Sequence, residues 1–369
     1  MMQTRAAVLY EAGKPVVIEE ITLDAPRQGE ILVRMEAAGV CHSDLHVRDG
    51  SLPEPMPIVL GHEGTGVIAE VGPGVTGFEV GDRVVLTWVP SCGQCYFCQR
   101  GQTHLCTTAG AMGVQGTLRD GTSRMHLGDK NLHHFLAVSC FSEYVVVPQE
   151  GAAKIPADVP MEVAAVLGCA VLTGVGAVER TAGVRPGESV AVIGCGGVGL
   201  NVIQAASLSG AYPIIAVDIN PEKLKMAQSF GASHTINSRE QEALREVRRI
   251  TQLGVDWAFE VLGNPRTIEQ AWSLIRAGGT AVVVGLAPRT STITLPAFEF
   301  IIEKSIRGCF YGSSRFHADV PALLKRIQAG RMRIEGMVSH TAPLDELETA
   351  FERMRRGDGA RTIIRFPSA

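Results

Sequence analysis

Residues 189–218 constrain the fold more than any other stretch of this chain. Ser189 to Ile193 is a fully apolar run of strand length. Gly194-Cys195-Gly196-Gly197-Val198-Gly199 follows it, then an apolar helical segment through Ser209. Pro213 to Val217 is a second apolar strand, and it closes on Asp218, nineteen positions after Gly199. A strand that runs into G-x-G-x-x-G and a helix, with an acidic residue at the end of the next strand, is the context of a dinucleotide site. The glycines permit the tight turn and let a pyrophosphate reach the unpaired N–H groups and dipole of the helix N-terminus. Asp218 is placed to accept hydrogen bonds from the adenosine ribose. The same charge-free stretch is long enough to span a bilayer. Its glycines, Pro213, Asn201 and Gln204 instead predict a buried strand-turn-helix-strand and no membrane segment.

The alternation continues downstream. Helices are expected at Pro221–Phe230, Arg239–Ile250 and Pro265–Arg276, with strands near Thr235, at Val255–Val261 and at Thr280–Leu286. Strands that alternate with helices build a doubly wound parallel sheet. Residues 318–329 and 343–354 read as amphipathic helices and Thr362–Phe366 as a last strand. Upstream the style differs. Ala6–Tyr10, Val16–Ile21, Ile31–Ala37 and Val67–Val71 are β-rich and broken by Gly and Pro, which predicts a β-dominated, barrel-like domain. Residues 107–140 read as a polar connection, and Pro160–Val178 as one apolar helix carrying Cys169. A chain of 369 residues is too long for one comfortable core, so two domains are expected. The formal net charge of −4 and the lack of a basic run argue against a nucleic-acid partner.

Nine cysteines need a role. Met1–Lys14 has no apolar core of signal-peptide length, so a reducing, cytoplasmic setting is expected, and clustered thiols there are metal ligands rather than disulfides. Cys92, Cys95, Cys98 and Cys106 form C-x2-C-x2-C-x7-C. Four thiolates with no open position make a structural zinc site. An iron–sulfur cluster is the alternative, but the ferredoxin run ends C-x3-C-P and this one does not. A second chemical cluster spans Gly39 to Glu63: Cys41, His42, Ser43, Asp44 and His46, then His62 and Glu63. Cys41 and His62 are two of the three protein ligands that a catalytic zinc takes. Spacing does not identify a third.

Together these pieces resemble the zinc-dependent alcohol dehydrogenases of the medium-chain dehydrogenase/reductase superfamily. The resemblance runs through GVCHSDLH, GHEGTGVIAEVGPGV, the four-cysteine loop, DGTSR at 120–124, GCGGVG with Asp218, and ARTIIRF at the C-terminal end. It implies an α/β protein: a discontinuous GroES-like catalytic domain of residues 1–170 and 310–369, and a Rossmann NAD-binding domain of residues 171–309. The substrate cleft would lie between them, and subunits would pair through the cofactor domains into a homodimer or homotetramer. It implies Cys169 as the third ligand of the catalytic zinc, Glu63 as an acidic residue that approaches the metal, and Asp44 as the partner that orients His62. Thr173, Gly194, Gly196, Gly197, Val198, Gly199, Asp218 and Lys223 would line the NAD site. His42 and Arg361 would meet the pyrophosphate, and a His at position 42, often Arg in relatives, puts a titratable ring there.

The implied chemistry is hydride transfer from a zinc-bound alkoxide to NAD, with two zinc ions per chain. Ser43 would take the alcohol proton, the nicotinamide ribose would pass it on, and His46 would deliver it to solvent, a role that suits a histidine side chain. The family's alcohol pocket falls on Leu52, Trp88, Phe135, Leu136 and Leu286, all apolar, which disfavours polyols and hydroxy acids. Trp88 would crowd a secondary carbon. The expected substrate is therefore a primary aliphatic or benzylic alcohol or its aldehyde. Two alternatives stand beside this reading. One is a thiol-adduct (S-hydroxymethyl) formaldehyde dehydrogenase of the same superfamily, although its peptide-binding Arg and acidic positions hold Gly110, Gly50 and Leu52 here. The other is a non-catalytic zinc or redox-sensing protein on the same fold.

Overall fold

The computed structural model describes residues 1–367. The chain divides into two compact units, one made of Met1–Cys169 with the segment from Arg315 onward, the other of Ala170–Ser314.

The second unit is built on six parallel strands. Their spatial order is His234–Asn237, Ile214–Asp218, Val190–Ile193, Val255–Glu260, Ile275–Val283 and Ser305–Gly308. In chain order this is 3-2-1-4-5-6, the Rossmann arrangement, whose order reverses beside the first strand. The inner strands are buried on both faces, which is why they are almost wholly apolar. The helices that return the chain carry their own start signals. Asn220 caps Pro221–Ser229 by accepting from Glu222 N, and Asn264 caps Pro265–Leu274 by accepting from Arg266 N, each with Pro at the first helical position. The edge strand Ser305–Gly308 was not anticipated, because Ile306 is its single half-buried apolar residue and one residue gives no hydrophobic pattern.

The first unit holds two β-sheets, of six and seven strands. Its organising element is Glu30–Gly39, which pairs antiparallel with Glu63–Val71, with Tyr144–Pro148 and with the C-terminal strand Arg361–Arg365. Register decides what meets at its end. Gly39 stands opposite Glu63 on one side and Ile363 on the other. Cys41, His62, Glu63 and Arg361 are thereby delivered to one corner although Arg361 lies 298 residues beyond Glu63 in the chain. Gly39 is required there, since a Cβ would fall 2.3 Å from Glu63 Oε2. The DGTSR turn is pinned from inside: Arg124 is fully buried, with Nε and Nη2 on the two oxygens of Glu30 at 2.9 and 2.6 Å and Nη2 on Asp120 at 2.8 Å.

Three expectations fail locally. Residues 107–140 are not a bare connection: they hold the helix Thr107–Gln115 and three short strands within Met125–His134. Small and polar residues hide that helix from any hydrophobic periodicity, and Cys106 caps it by accepting from Ala109 N. Pro160–Val178 is not one helix. It breaks into Met161–Ala165, a 3-10 turn Val166–Gly168 and Ala170–Gly176, with Cys169 at the break in a non-helical conformation (φ −142°, ψ −74°). Gly168 sits where a Cβ would lie 2.0 Å from Leu86 O, so tight packing rather than local propensity sets the break. The strand Val338–Pro343, parallel to Arg361–Arg365, was also missed, because its alternation is mixed with polar and half-buried residues.

Among the described residues no single helix is long and apolar enough to cross a membrane. Ser189–Val217 is the strand-turn-helix-strand expected of it.

Candidate zinc centre and cofactor site

The corner at the end of Glu30–Gly39 gathers Cys41, His62, Glu63 and Cys169, whose ligand atoms all lie within 4.8 Å of one another and whose side chains are all buried. Cys41 is the N-cap of the helix His42–Asp49. Asp44, in the first turn and wholly buried, organises the corner. Its Oδ2 accepts from Cys41 N at 3.1 Å, and its Oδ1 accepts from Gly61 N at 2.9 Å and His62 Nδ1 at 3.1 Å. His62 therefore carries its proton on Nδ1 and turns Nε2 toward the two sulfurs, the tautomer a metal ligand needs.

The charges are mutually adjusted. A hydrogen bond from Cys169 holds the Cys41 thiol well below its ordinary range, with help from His62, while Cys169 is pushed up by the same bond and by burial. Burial opposes a charge on His62, but the Asp44 carboxylate and the Cys41 sulfur outweigh it. Burial lifts Glu63 to about 7 against the pull of Arg361. Neither Glu63 oxygen has a hydrogen-bond partner, and Arg361 Nη2 stands 3.4 Å from Oε1. Two thiols, one imidazole with a fixed tautomer and a nearby carboxylate with free lone pairs match the donor set of a catalytic zinc.

Cys92, Cys95, Cys98 and Cys106 form the second cluster, again with sulfurs within 4.8 Å of one another. Backbone donors prepare it for anionic sulfur. Cys106 Sγ accepts from Cys92 N at 3.3 Å and Ala109 N at 3.5 Å, and N–H groups of Cys98 and Thr107 draw Cys95 down to about 5. Burial pushes Cys98 up to about 12, an imbalance that a shared cation removes. The two clusters fit two zinc ions.

Around the first cluster, Trp88 and Phe135 stand edge-on to His62, with ring centroids at 6.5 and 5.4 Å. Phe135 belongs to the core, and Leu52, Trp88 and Leu136 pack against it from partly buried positions. Ser43 Oγ lies 3.8 Å from Cys41 Sγ, and His46, one turn further along the helix, is half-buried with Nδ1 3.0 Å from Ser51 Oγ. His42 is exposed, its ring 6.4 Å from that of His46. Arg361, expected at the cofactor pyrophosphate, is buried, donates Nη1 to Val40 O at 2.9 Å and lies against Glu63. Sequence reasoning missed that pairing, because strand register alone brings the two residues together.

In the second unit Gly194 adopts φ +100°, and a Cβ on Gly199 would fall 1.9 Å from Gly194 O, so the turn and the helix Gly197–Leu208 close onto each other only as glycine. Gly196 caps that helix, and the space around its missing Cβ is open. Val198 lies in the first turn, and Lys223 in the first turn of Pro221–Ser229. Asp218 ends its strand with Oδ2 accepting from Cys195 N at 2.8 Å and Oδ1 from Asn220 N at 2.9 Å. The carboxylate is thus held at the carboxyl edge of the sheet beside the glycine turn. Thr173 is buried in Ala170–Gly176, and Leu286 is half-exposed beyond the strand Ile275–Val283.

Residues 27–157 match the alcohol dehydrogenase GroES-like domain and residues 197–329 the zinc-binding dehydrogenase domain. S-(hydroxymethyl)glutathione dehydrogenase of Paracoccus denitrificans is 38% identical over 373 residues, covering 98% of this chain and 100% of that one. The chain belongs to the zinc-dependent alcohol dehydrogenases of the medium-chain dehydrogenase/reductase superfamily. Among solved structures, an alcohol dehydrogenase zinc-binding domain protein from Burkholderia ambifaria superposes with TM-score 0.95 at 37% identity, with both chains fully covered. Benzyl alcohol dehydrogenase from Acinetobacter calcoaceticus superposes with TM-score 0.94 at 33% identity, again over the whole of both. This dehydrogenase is thus a zinc- and nicotinamide-dependent oxidoreductase of GroES-like and Rossmann architecture.

Proposed function

We propose that this dehydrogenase oxidises a primary hydroxymethyl group with NAD+, and that the group belongs to an S-(hydroxymethyl) thiol adduct. The observation that carries the substrate class is whole-length similarity to curated relatives bearing the name S-(hydroxymethyl)glutathione dehydrogenase. That similarity weighs for the thiol adduct over the simple primary alcohol expected from the sequence. Chemically the two are close, since both present HO–CH2 at the reacting end and differ in what the carbon is attached to.

A zinc ion held by Cys41, His62 and Cys169, with Glu63 beside them, supplies a Lewis acid that lowers the pKa of a bound hydroxyl. The protein's own groups do the rest. Asp44 holds His62 in register. Ser43 Oγ, 3.8 Å from Cys41 Sγ, receives the substrate proton, and His46 passes it to water. Trp88 and Phe135 beside His62, with Leu52 and Leu136 packed on the same core, offer a polyol or hydroxy acid no charge and no side-chain acceptor, at a cost of about 1–3 kcal/mol for each group left unpaired. Asp218 accepts from ribose hydroxyls and repels a 2′-phosphate, which selects NAD+ over NADP+.

A second substrate reading, a benzylic or unbranched aliphatic alcohol, is favoured by those apolar side chains and by the likeness to benzyl alcohol dehydrogenase. Gly110, Gly50 and Leu52 also supply no charge for a peptide thiol. The deciding measurement is kcat/KM for formaldehyde with glutathione against benzyl alcohol, 1-butanol and 2-butanol, each with NAD+. A lead for the adduct supports the first reading, and a lead for benzyl alcohol supports the second. A lead for 2-butanol refutes both.

We also propose that two copies associate through the second unit. The edge strand Ser305–Gly308 has one neighbour among the described residues, and Phe298, Phe300, Ile301 and Phe310 near it are exposed. An open sheet edge flanked by exposed apolar side chains is covered in most proteins. Sedimentation of wild type and Ile301→Glu tests this, with a monomeric wild type as the refuting outcome.

A further inference from the structure

The helix His42–Asp49 stops at Gly50, whose left-handed backbone (φ +86°) folds Ser51 back over the last turn. There Ser51 Oγ makes three contacts: Asp49 Oδ1 at 2.7 Å, His46 Nδ1 at 3.0 Å and His46 O at 3.3 Å. Ser51 N also donates to Asp49 Oδ1 at 3.0 Å, which keeps that oxygen facing the hydroxyl. A serine hydroxyl has one proton to give. The carboxylate takes it, being both the nearest acceptor and the charged one. The contact to Nδ1 is then made only if the ring nitrogen donates.

We infer that Ser51 and Asp49 lock His46 in the tautomer protonated on Nδ1, so that Nε2 holds the lone pair and is the atom that receives the proton in catalysis. The inference rests on the reading of His46 as the relay's outlet. Among the described residues Nε2 has no hydrogen-bond partner, so it is free for that task. In the step itself the proton leaves its donor, a new N–H bond forms at Nε2, and the existing Nδ1–H bond is kept. The resulting positive charge is shared with Asp49 through the Ser51 hydroxyl, and Nε2 returns its proton to water. A histidine in water favours the other tautomer, with Nε2 already protonated and unable to accept. Ser51 and Asp49 are positioning residues, since among the described residues their side chains bond within the end of this helix and not to the zinc ligands.

The tautomer can be read directly from protein labelled with 15N-histidine, using long-range 1H–15N spectra at a pH above the imidazole titration. The His46 signals are identified by their loss in His46→Gln. Wild type should show His46 protonated on Nδ1. Ser51→Ala should move the population to Nε2–H and lower kcat by roughly tenfold, less than the ~100-fold or more that a lost general base costs. Ser51→Thr keeps the hydroxyl and should keep the wild-type pattern. A wild-type His46 protonated on Nε2, or a tautomer unmoved by Ser51→Ala, overturns the inference. If the tautomer responds as stated but His46→Gln leaves kcat unchanged, the tautomer assignment stands and the relay reading is the part that fails.

Discussion

Arg361 Nη2 stands 3.4 Å from Glu63 Oε1, and both side chains are buried beside Cys41 and Cys169. A buried cation here offsets the charge of two sulfurs and a carboxylate packed into one corner. Removing one partner of such a pair leaves the other charge uncompensated, at a cost of about 3–5 kcal/mol. Arg361→Met should destabilise by about the lower figure, since Glu63, already raised to about 7, can shed its charge by taking a proton. Arg361→Met with Glu63→Gln should recover part of the loss. Urea denaturation of the four proteins gives the coupling, and strictly additive losses would show that the pair is not one unit.

The two clusters should lose metal independently. Cys95→Ser should lower zinc content from two ions per chain toward one and reduce thermal stability, while Cys41→Ser should abolish turnover and leave the melting temperature nearly unchanged. Elemental analysis of the active enzyme checks the premise. One zinc per chain in fully active protein would refute it.

Asp218 should govern cofactor choice through charge. Its carboxylate is fixed by Cys195 N and Asn220 N, so a 2′-phosphate could not avoid it by pushing the side chain aside. Asp218→Gly should reduce the NAD+ to NADP+ ratio of kcat/KM by roughly tenfold or more, the equivalent of ~1.4 kcal/mol. A wild type faster with NADP+ would remove Asp218 from the role.

His134 should make the fold acid-sensitive. Burial, with Arg124 nearby, pushes its pKa down to about 3, against about 6.5 for an unperturbed histidine. Between those values the unfolded chain binds the proton and the folded chain does not. The neutral ring's contribution is therefore complete above about pH 6.5 and is lost as pH falls toward 3, by up to roughly 4–5 kcal/mol. His134→Gln should start less stable at pH 7.5 and lose less than wild type between pH 6.5 and 4.5. Parallel slopes for the two proteins would refute this.

The cofactor unit was legible because its signals are local. An apolar strand, a glycine turn and an acidic strand end lie within one span of 30 residues, and burial on both faces makes such strands apolar throughout. The four-cysteine loop was legible for the same reason, since Cys92 to Cys106 close on one another without help from distant residues. The zinc corner was only half legible. Cys41 and His62 advertise themselves by type and proximity, but spacing alone gave Cys169 no role, and the resemblance that supplied one still left it inside a helix.

What the sequence determined by itself was therefore the set of parts: a dinucleotide turn, a closed thiol site, and an incomplete metal site flanked by Ser43 and His46. The tertiary structure decided which parts meet. Register at Gly39 places Glu63 opposite one side and the Arg361 strand along the other, a relationship fixed by hydrogen bonds across a sheet and invisible to any local window. Close packing of Gly168 on Leu86 breaks a helix that local propensity favours, and the break sets the Cys169 sulfur beside Cys41 and His62. Local patterns record what a segment prefers, whereas pairing and packing between distant segments decide which of those preferences survive.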